Sequence, residues 1–221
     1  MPTRFCLIRH GETDWNVEHR IQGQIDIPLN ATGKAQAEAA ARELAAKSFG
    51  ALYSSDLART LATADAAAGS LRLGVESTPT LRERHFGDFQ GLTHSEAQAR
   101  YPGDYLRFRQ RDLDHAPPGG GESLRHLAAR VEAVPNDLTG RHSGETLLLV
   151  THGGVLDIAR RVATGQSIEA ERDFLLPNAA LNWIERRNGR WALLSWAEQS
   201  HLEISRDELN SPSKGIFQTD F

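Results

Sequence analysis

The chain has few cysteines and no long apolar run, and each shortage excludes a class of protein. Cys6 is the single cysteine among 221 residues, so an internal disulfide cannot form and a cytoplasmic location is expected. No apolar stretch reaches the roughly 18 residues that a membrane-spanning helix needs, and no secretory leader is recognisable. We therefore expect neither a disulfide scaffold nor a membrane partner.

Lysine is also scarce, and basic residues do not outnumber acidic ones. Only three of the 25 basic residues are lysine, and 29 acidic residues leave a net charge of -4 at pH 7. Proteins that bind nucleic acid through bulk charge need a broad basic surface, so a nucleic-acid partner is not expected. Any anion that this chain binds must be held by a few well-placed side chains.

Short apolar runs alternate with helical patterns along the chain. Strands are predicted over residues 6–8, 51–53 and 147–150, and Asn188-Gly189 predicts a hairpin between residues 181–187 and 190–196. Helices are predicted over residues 32–47, capped by Thr32, and over residues 57–68, 93–101, 122–134 and 153–164. This alternation predicts an α/β fold with a mostly parallel central sheet and helices on both faces.

The chain is expected to form one domain over residues 1–204. The proline- and glycine-rich run at residues 117–121 is interpreted as a loop, because neither flanking part has enough apolar residues for its own core. Residues 205–221 are polar and aperiodic and are predicted to be a C-terminal tail.

Charged and imidazole side chains follow three of the predicted strands. Arg9 and His10 follow the first strand, Arg59 stands in the helix that follows the second, and His152 follows the leucine-rich strand. Parallel strands present their carboxyl ends at one edge, so these side chains should meet there. Two guanidinium groups and a helix N-terminus suit a phosphate, and an imidazole can attack phosphorus.

A departing alkoxide needs a proton, so a carboxylic acid should lie close to the two imidazoles. The residues leave four candidates for this acid: Glu12, Asp56, Glu83 and Asp88.

Six ordered segments carry a resemblance to a known family. They are LIRHGETDWN, QGQIDIPLNATGKAQA, YSSDLARTLATA, LRERHFGDFQGLT, PPGGGES and LVTHGG. Together they resemble the histidine phosphatase superfamily, also called the phosphoglycerate mutase-like family, over about residues 4–202. The resemblance implies a three-layer α/β/α sandwich with a mostly parallel sheet.

The resemblance also implies roles for particular residues. His10, in the Arg-His-Gly motif, would become phosphohistidine, while Arg9, Arg59 and His152 would hold the phosphoryl oxygens and Glu83 would be the general acid. The substrate-binding residues would be Asn16, Gln22, Gly23 and Gly153. The family needs no metal and no other cofactor, and this sequence lacks the His-x3-His, paired-cysteine and Walker patterns.

Two features bear on the subfamily and the substrate. Gln90 stands where many phosphatase members of the family have glutamate. Arg107, Arg109 and Arg111 form a basic cluster that is interpreted as a solvated face, with recognition of an anionic substrate as the alternative.

Three functions are compatible with these residues. The first is a phosphoric monoester hydrolase acting on a small phosphorylated metabolite through phosphohistidine at His10. The second is a phosphoglycerate mutase primed by 2,3-bisphosphoglycerate, and the third is an inactive anion-binding module. The segment between Glu83 and Glu122 resembles the phosphatase branch, and the presence of both a nucleophile and an acid argues against the inactive module. The sequence leaves open whether the chain forms a homodimer.

Overall fold

The computed structural model describes residues 1–203, and its centre is a six-stranded sheet. The strands are β1 (Thr3–Arg9), β2 (Ala51–Ser54), β3 (Val75–Ser77), β4 (Thr146–Thr151), β5 (Leu181–Arg187) and β6 (Arg190–Glu198). Their order across the sheet is β3-β2-β4-β1-β5-β6. The first four in this order pair in parallel, and β5 and β6 are antiparallel, so the predicted mostly parallel sheet is confirmed.

Helices cover both faces of this sheet. They are α1 (Asp14–Val17), α2 (Ala31–Leu44), α3 (Ala58–Leu71), α4 (His94–Arg100), α5 (Pro102–Arg109), α6 (Leu124–Arg141) and α7 (Gly153–Thr164), with short 3-10 turns at Pro79–Leu81 and Gly87–Phe89. Alternate residues of β1 and β4 point to opposite faces. Phe5 and Leu149 join a core with α6 and α7, whereas Cys6 and Leu148 join a core with α2 and α3. The three-layer sandwich is therefore confirmed.

The pairing of β1 with β4 places the two predicted active-site segments side by side. Arg9 stands opposite Thr151, and the His10 amide donates to the Thr151 carbonyl at 3.0 Å. Both strands are buried along nearly their whole length, which fits the continuous apolar runs in their sequences. His10 and His152 consequently leave the sheet at the same edge.

Several local predictions are confirmed. Thr93 and Glu96 form the expected capping box at the start of α4, with the Thr93 amide donating to the Glu96 carboxylate at 2.8 Å. Asn188 and Gly189 both have positive φ, 52° and 77°, as a tight two-residue hairpin turn between β5 and β6 requires.

Other local predictions are wrong. Asn30, and not Thr32, caps α2, because its side chain accepts from the Gly33 amide at 2.8 Å. The helix predicted to stop near Pro135 continues to Arg141. A proline disrupts a helix interior by removing one donor, but Leu138 lies beyond it and is buried in the core, so packing keeps the helix intact.

A small apolar cluster, separate from the two main cores, joins Ala97 of α4 and Tyr105 of α5 to Ile21 and Phe89.

The predicted tail at residues 205–221 lies outside the described residues, and the boundary at residue 204 stays a prediction. Within residues 1–203, no helix combines the length and the apolar character that crossing a lipid bilayer requires.

Candidate active site

A cleft of about 480 Å³ opens at the carboxyl ends of β1, β2 and β4. Eight of the nine residues predicted for the site line it: Arg9, His10, Asn16, Gln22, Gly23, Arg59, Glu83 and Gly153. The ninth, His152, is fully buried and packs against His10, with the two ring centroids 5.3 Å apart. The structure therefore brings the whole predicted set together.

His10 follows the last residue of β1 and is almost fully buried. Its Nδ1 lies 2.7 Å from the Gly11 carbonyl oxygen, and a carbonyl oxygen only accepts, so Nδ1 carries the proton. Burial, followed by the charges of Arg59 and Arg9, holds the pKa of His10 well below its usual range. The ring is thus neutral, and the lone pair of Nε2 is available for attack on an electrophile.

Two guanidinium groups supply positive charge to the base of the cleft. Arg9 donates to the Leu176 carbonyl at 2.6 Å, which holds its side chain at the end of β1. Arg59, in the first turn of α3, donates to the carbonyls of Gly23 at 2.7 Å and Ile25 at 2.8 Å. Burial lowers the pKa of Arg59 to about 10, so it remains protonated at neutral pH.

The side chain of Glu83 reaches the N-terminus of α7, where a backbone amide holds its carboxylate. Both of its carboxylate oxygens accept from the Gly154 amide, at 3.1 and 3.0 Å, and Oε1 also accepts from the Arg84 amide at 2.7 Å. A helix N-terminus favours a negative charge. A Cβ at position 154 would lie 2.2 Å from Oε1, so glycine is required for this close approach.

The other three candidate acids lie outside the cleft lining. Glu12 is buried and accepts from the Asn30 side chain at 3.0 Å. Asp56 forms two bonds of 2.7 Å with the Arg82 guanidinium, which lower its pKa. Asp88 is exposed. Glu83 is therefore the candidate acid that the structure places beside His10 and the guanidinium groups.

The remaining predicted binding residues form one wall of the cleft. Asn16 uses its side-chain oxygen to accept from Thr13, within a capping box that starts α1. The Gln22 side-chain oxygen is buried and has no hydrogen-bond partner within residues 1–203, so it is available to a ligand. Gly23 has a φ of 54°, which places its carbonyl against Arg59.

Gln90 supports this wall from behind and does not line the cleft. Its side-chain oxygen accepts from the amides of Gln24 at 2.8 Å and Phe86 at 3.3 Å. A Cβ on Gly23 would lie 2.1 Å from the same oxygen. The amide in place of glutamate therefore packs the loop that carries Gly23.

The outer part of the cleft contains four further charged residues, of which the sequence analysis considered only Arg109. Arg109, Glu169 and Glu171 are exposed there, with the half-buried Arg172 beside them. Arg111 also lines the cleft, but its guanidinium is bonded to Asp157 and to the Ile168 carbonyl. Interpreting the basic cluster as a solvated face is thus wrong for Arg111, whereas Arg109 is exposed as that interpretation requires and also borders the cleft. The spacing of the arginines contained no signal for the burial of Arg111, because its partners Asp157 and Ile168 come from distant segments of the chain.

The family model of the histidine phosphatase superfamily (branch 1) matches residues 5–199. Two Arabidopsis thaliana proteins are similar over most of their length. Metal-independent phosphoserine phosphatase is 40% identical over 202 residues, which are 90% of this chain and 83% of the relative. Phosphoglycerate mutase-like protein 4 is 38% identical over 200 residues, which are 89% of this chain and 86% of the relative.

The solved structure of Bacillus stearothermophilus YhfR superposes on this chain with a TM-score of 0.84. The sequences are 32% identical, and the match covers 91% of this chain and all of YhfR.

Proposed function

Since this chain belongs to the histidine phosphatase superfamily, branch 1, we propose that it is a metal-independent phosphoric monoester hydrolase. Its substrate is a small phosphorylated metabolite, and its intermediate is phosphohistidine at His10. The observation that carries the proposal is the hydrogen bond from His10 Nδ1 to the Gly11 carbonyl, since it leaves Nε2 as a neutral nucleophile between two buried guanidinium groups.

In the first half of the reaction, Arg9, Arg59 and His152 hold the phosphoryl oxygens, and the Gly153 amide and Gln22 complete the pocket. Nε2 of His10 attacks phosphorus, and the bond from phosphorus to the ester oxygen breaks. Glu83 gives a proton to the departing alkoxide. The guanidinium groups stabilise the negative charge on the transferring oxygens because they are already oriented and desolvated.

In the second half, Glu83 takes a proton from water as the water attacks phosphorus. The bond from phosphorus to Nε2 breaks, and inorganic phosphate leaves. The same carboxyl group, which the Gly154 amide holds in place, performs both steps: protonated Glu83 is the acid in the first half, and its carboxylate is the base that regains a proton from water in the second. The cycle needs no cofactor, and 2,3-bisphosphoglycerate enters as a primer only if the chain is a mutase.

The alternative with the same pocket is a phosphoglycerate mutase, since one relative is named mutase-like. A paired assay separates the two activities. Release of inorganic phosphate is measured on a panel that includes phosphoserine, phosphoglycerate and sugar phosphates. Conversion of 3- to 2-phosphoglycerate is measured with and without the bisphosphate primer. We expect phosphate release, and rapid mutase turnover with negligible release would overturn the hydrolase proposal.

The nucleophile is tested by trapping the phosphoenzyme. His10→Ala should lower turnover by about 10⁴-fold or more and abolish acid-labile, base-stable labelling from a ³²P-labelled substrate, because the attacking nitrogen is gone. His126→Ala is the matched control, since His126 is exposed on α6 outside the cleft, and it should keep both. Label that survives in His10→Ala would move the nucleophile to another residue, with His152 tested next.

The cytoplasmic location and the homodimer stay predictions from the sequence.

A further inference from the structure

The buried hydroxyl group of Ser55 contacts the second active-site histidine. Ser55 follows β2, and its Oγ lies 2.9 Å from His152 Nε2, with both residues fully buried. The Ser55 backbone is itself firmly held. Its amide donates to the Val150 carbonyl at 3.0 Å, and its carbonyl accepts from the hydroxyls of Ser54 and Thr60 at 2.8 and 2.9 Å.

The hydrogen bonds around this pair determine which atom is the donor. Within residues 1–203, His152 Nε2 is the one hydrogen-bond partner of Ser55 Oγ. If Nε2 carried a proton and donated it, two buried groups would lack partners within residues 1–203, the serine hydroxyl hydrogen and the lone pair of Nδ1. If the serine donates, only the Nδ1 hydrogen lacks a partner, so this arrangement is the more favourable of the two. The serine therefore donates, and Nε2 accepts through its lone pair.

The second ring nitrogen then carries the proton. Burial, followed by Arg59, His10 and Arg9, holds the pKa of His152 well below its usual range, so the ring is neutral and has a single N–H. Because Nε2 accepts, this N–H is on Nδ1. Nδ1 is buried and has no hydrogen-bond partner within residues 1–203. A buried donor without an acceptor is rare in a folded protein and points to a ligand atom that accepts from it.

We propose that Ser55 is a positioning residue that holds His152 in the tautomer with its proton on Nδ1, so that the ring donates to a phosphoryl oxygen. The identity of the acceptor rests on the proposed function, whereas the tautomer does not. With the proton on Nε2, the ring would present a lone pair to the phosphoryl group and repel it.

The tautomer can be observed directly in the full-length, ligand-free protein. We expect ¹⁵N NMR of the histidine rings at neutral pH to give a protonated Nδ1 and an unprotonated Nε2 for His152, assigned by comparison with His152→Gln. Ser55→Ala should shift the ring to a mixture of tautomers. Ser70→Ala is the matched control, since this exposed hydroxyl on α3 lies outside the cleft lining and donates to the Ala67 carbonyl at 2.9 Å, and it should leave the ring signals unchanged.

The functional consequence is measured with inorganic phosphate as the probe and p-nitrophenyl phosphate as the substrate. Ser55→Ala should weaken phosphate binding and lower kcat by about ten- to a hundredfold, as expected for a misdirected donor. In a His152→Ala background the same change should have no further effect, because the group that Ser55 orients is absent.

Several outcomes would overturn the proposal. In the wild-type protein, a His152 ring with its proton on Nε2, or with protons on both nitrogens, would overturn it. This measurement does not depend on whether the Ser55→Ala variant folds. Equal losses from Ser55→Ala with and without His152 would give Ser55 a merely structural role. The expected tautomer in a protein that hydrolyses no phosphomonoester would instead overturn the proposed function and leave the tautomer assignment standing.

Discussion

The base and the rim of the cleft are built differently. We use "base" for Arg9, His10, Arg59 and His152, and "rim" for Arg109, Glu169, Glu171 and Arg172. Every residue of the base has 3% or less of its surface exposed, and each stands at a strand end or in the first turn of a helix. The rim is largely exposed and lies at the end of α5 and in the loop after α7.

This difference separates the chemistry of the reaction from the choice of substrate. Burying cations and imidazoles is costly, so their positions must be fixed by hydrogen bonds to the backbone, as they are for Arg9, His10 and Arg59. Exposed charges of both signs interact weakly and can change without disturbing the fold. The base should thus determine the rate of phosphoryl transfer, and the rim should determine which phosphomonoester binds.

The largest effect after loss of the nucleophile is expected from Glu83→Gln. Turnover of an alkyl phosphate should fall by about 10²- to 10⁴-fold, because its leaving group needs a proton, whereas p-nitrophenyl phosphate should lose much less. The ratio of kcat values for the two substrates measures the acid role. Glu132→Gln, at an exposed site on α6, should leave this ratio unchanged. Equal losses on both substrates would remove Glu83 from that role.

The pH dependence of stability tests how strongly the base is desolvated. The pKa values of His10 and His152 are lowered by burial, so the unfolded chain binds protons that the folded chain does not as the pH falls below about 6.5. The stability that these neutral rings contribute is therefore present above about pH 6.5 and lost in acid. The slope approaches about 1.4 kcal/mol per pH unit for each histidine.

This slope is measured by denaturant unfolding between pH 7.5 and 5.5. His10→Gln should reduce it by up to the contribution of one histidine, and His152→Gln by a similar amount. A slope that is identical in wild type and both variants would mean that the two rings do not titrate differently on folding.

The smallest effect is expected at the rim. For a substrate with a second negative charge, Arg109→Gln should raise KM and Glu171→Gln should lower it, each by about two- to fivefold, because one exposed attractive or repulsive charge is removed. The kcat for p-nitrophenyl phosphate should stay within about twofold. Raising the salt concentration should reduce both KM effects. A tenfold loss of kcat from either variant would contradict the division between base and rim.

The sequence could predict the base because its residues follow recognisable elements. Arg9 and His10 come directly after one apolar strand and His152 after another, and parallel pairing brings strand ends together. The choice of Glu83 among four acids came from the family resemblance. Its contact with the Gly154 amide depends on a chain path that no local pattern specifies.

The rim could not be predicted, for physical reasons. Arg109 ends a helix that the sequence analysis missed, and Glu169, Glu171 and Arg172 lie in a loop without periodic pattern. Strand β3 was also missed, because it has three residues and is only partly buried. Tertiary packing overrode local preference at Pro135, where a helix-breaking residue stands inside α6.

The pairing of β1 with β4 also has a consequence for how the protein acquires activity. Arg9 and Thr151 are opposite each other in the sheet although most of the chain lies between them in the sequence. Contacts of such high sequence separation form slowly, because closing the long loop between them costs conformational entropy before the contacts contribute any stability. The phosphate site cannot exist before that closure, so recovery of phosphate binding after dilution from denaturant reports a long-range step of folding, which spectroscopic recovery of helix content alone would not detect.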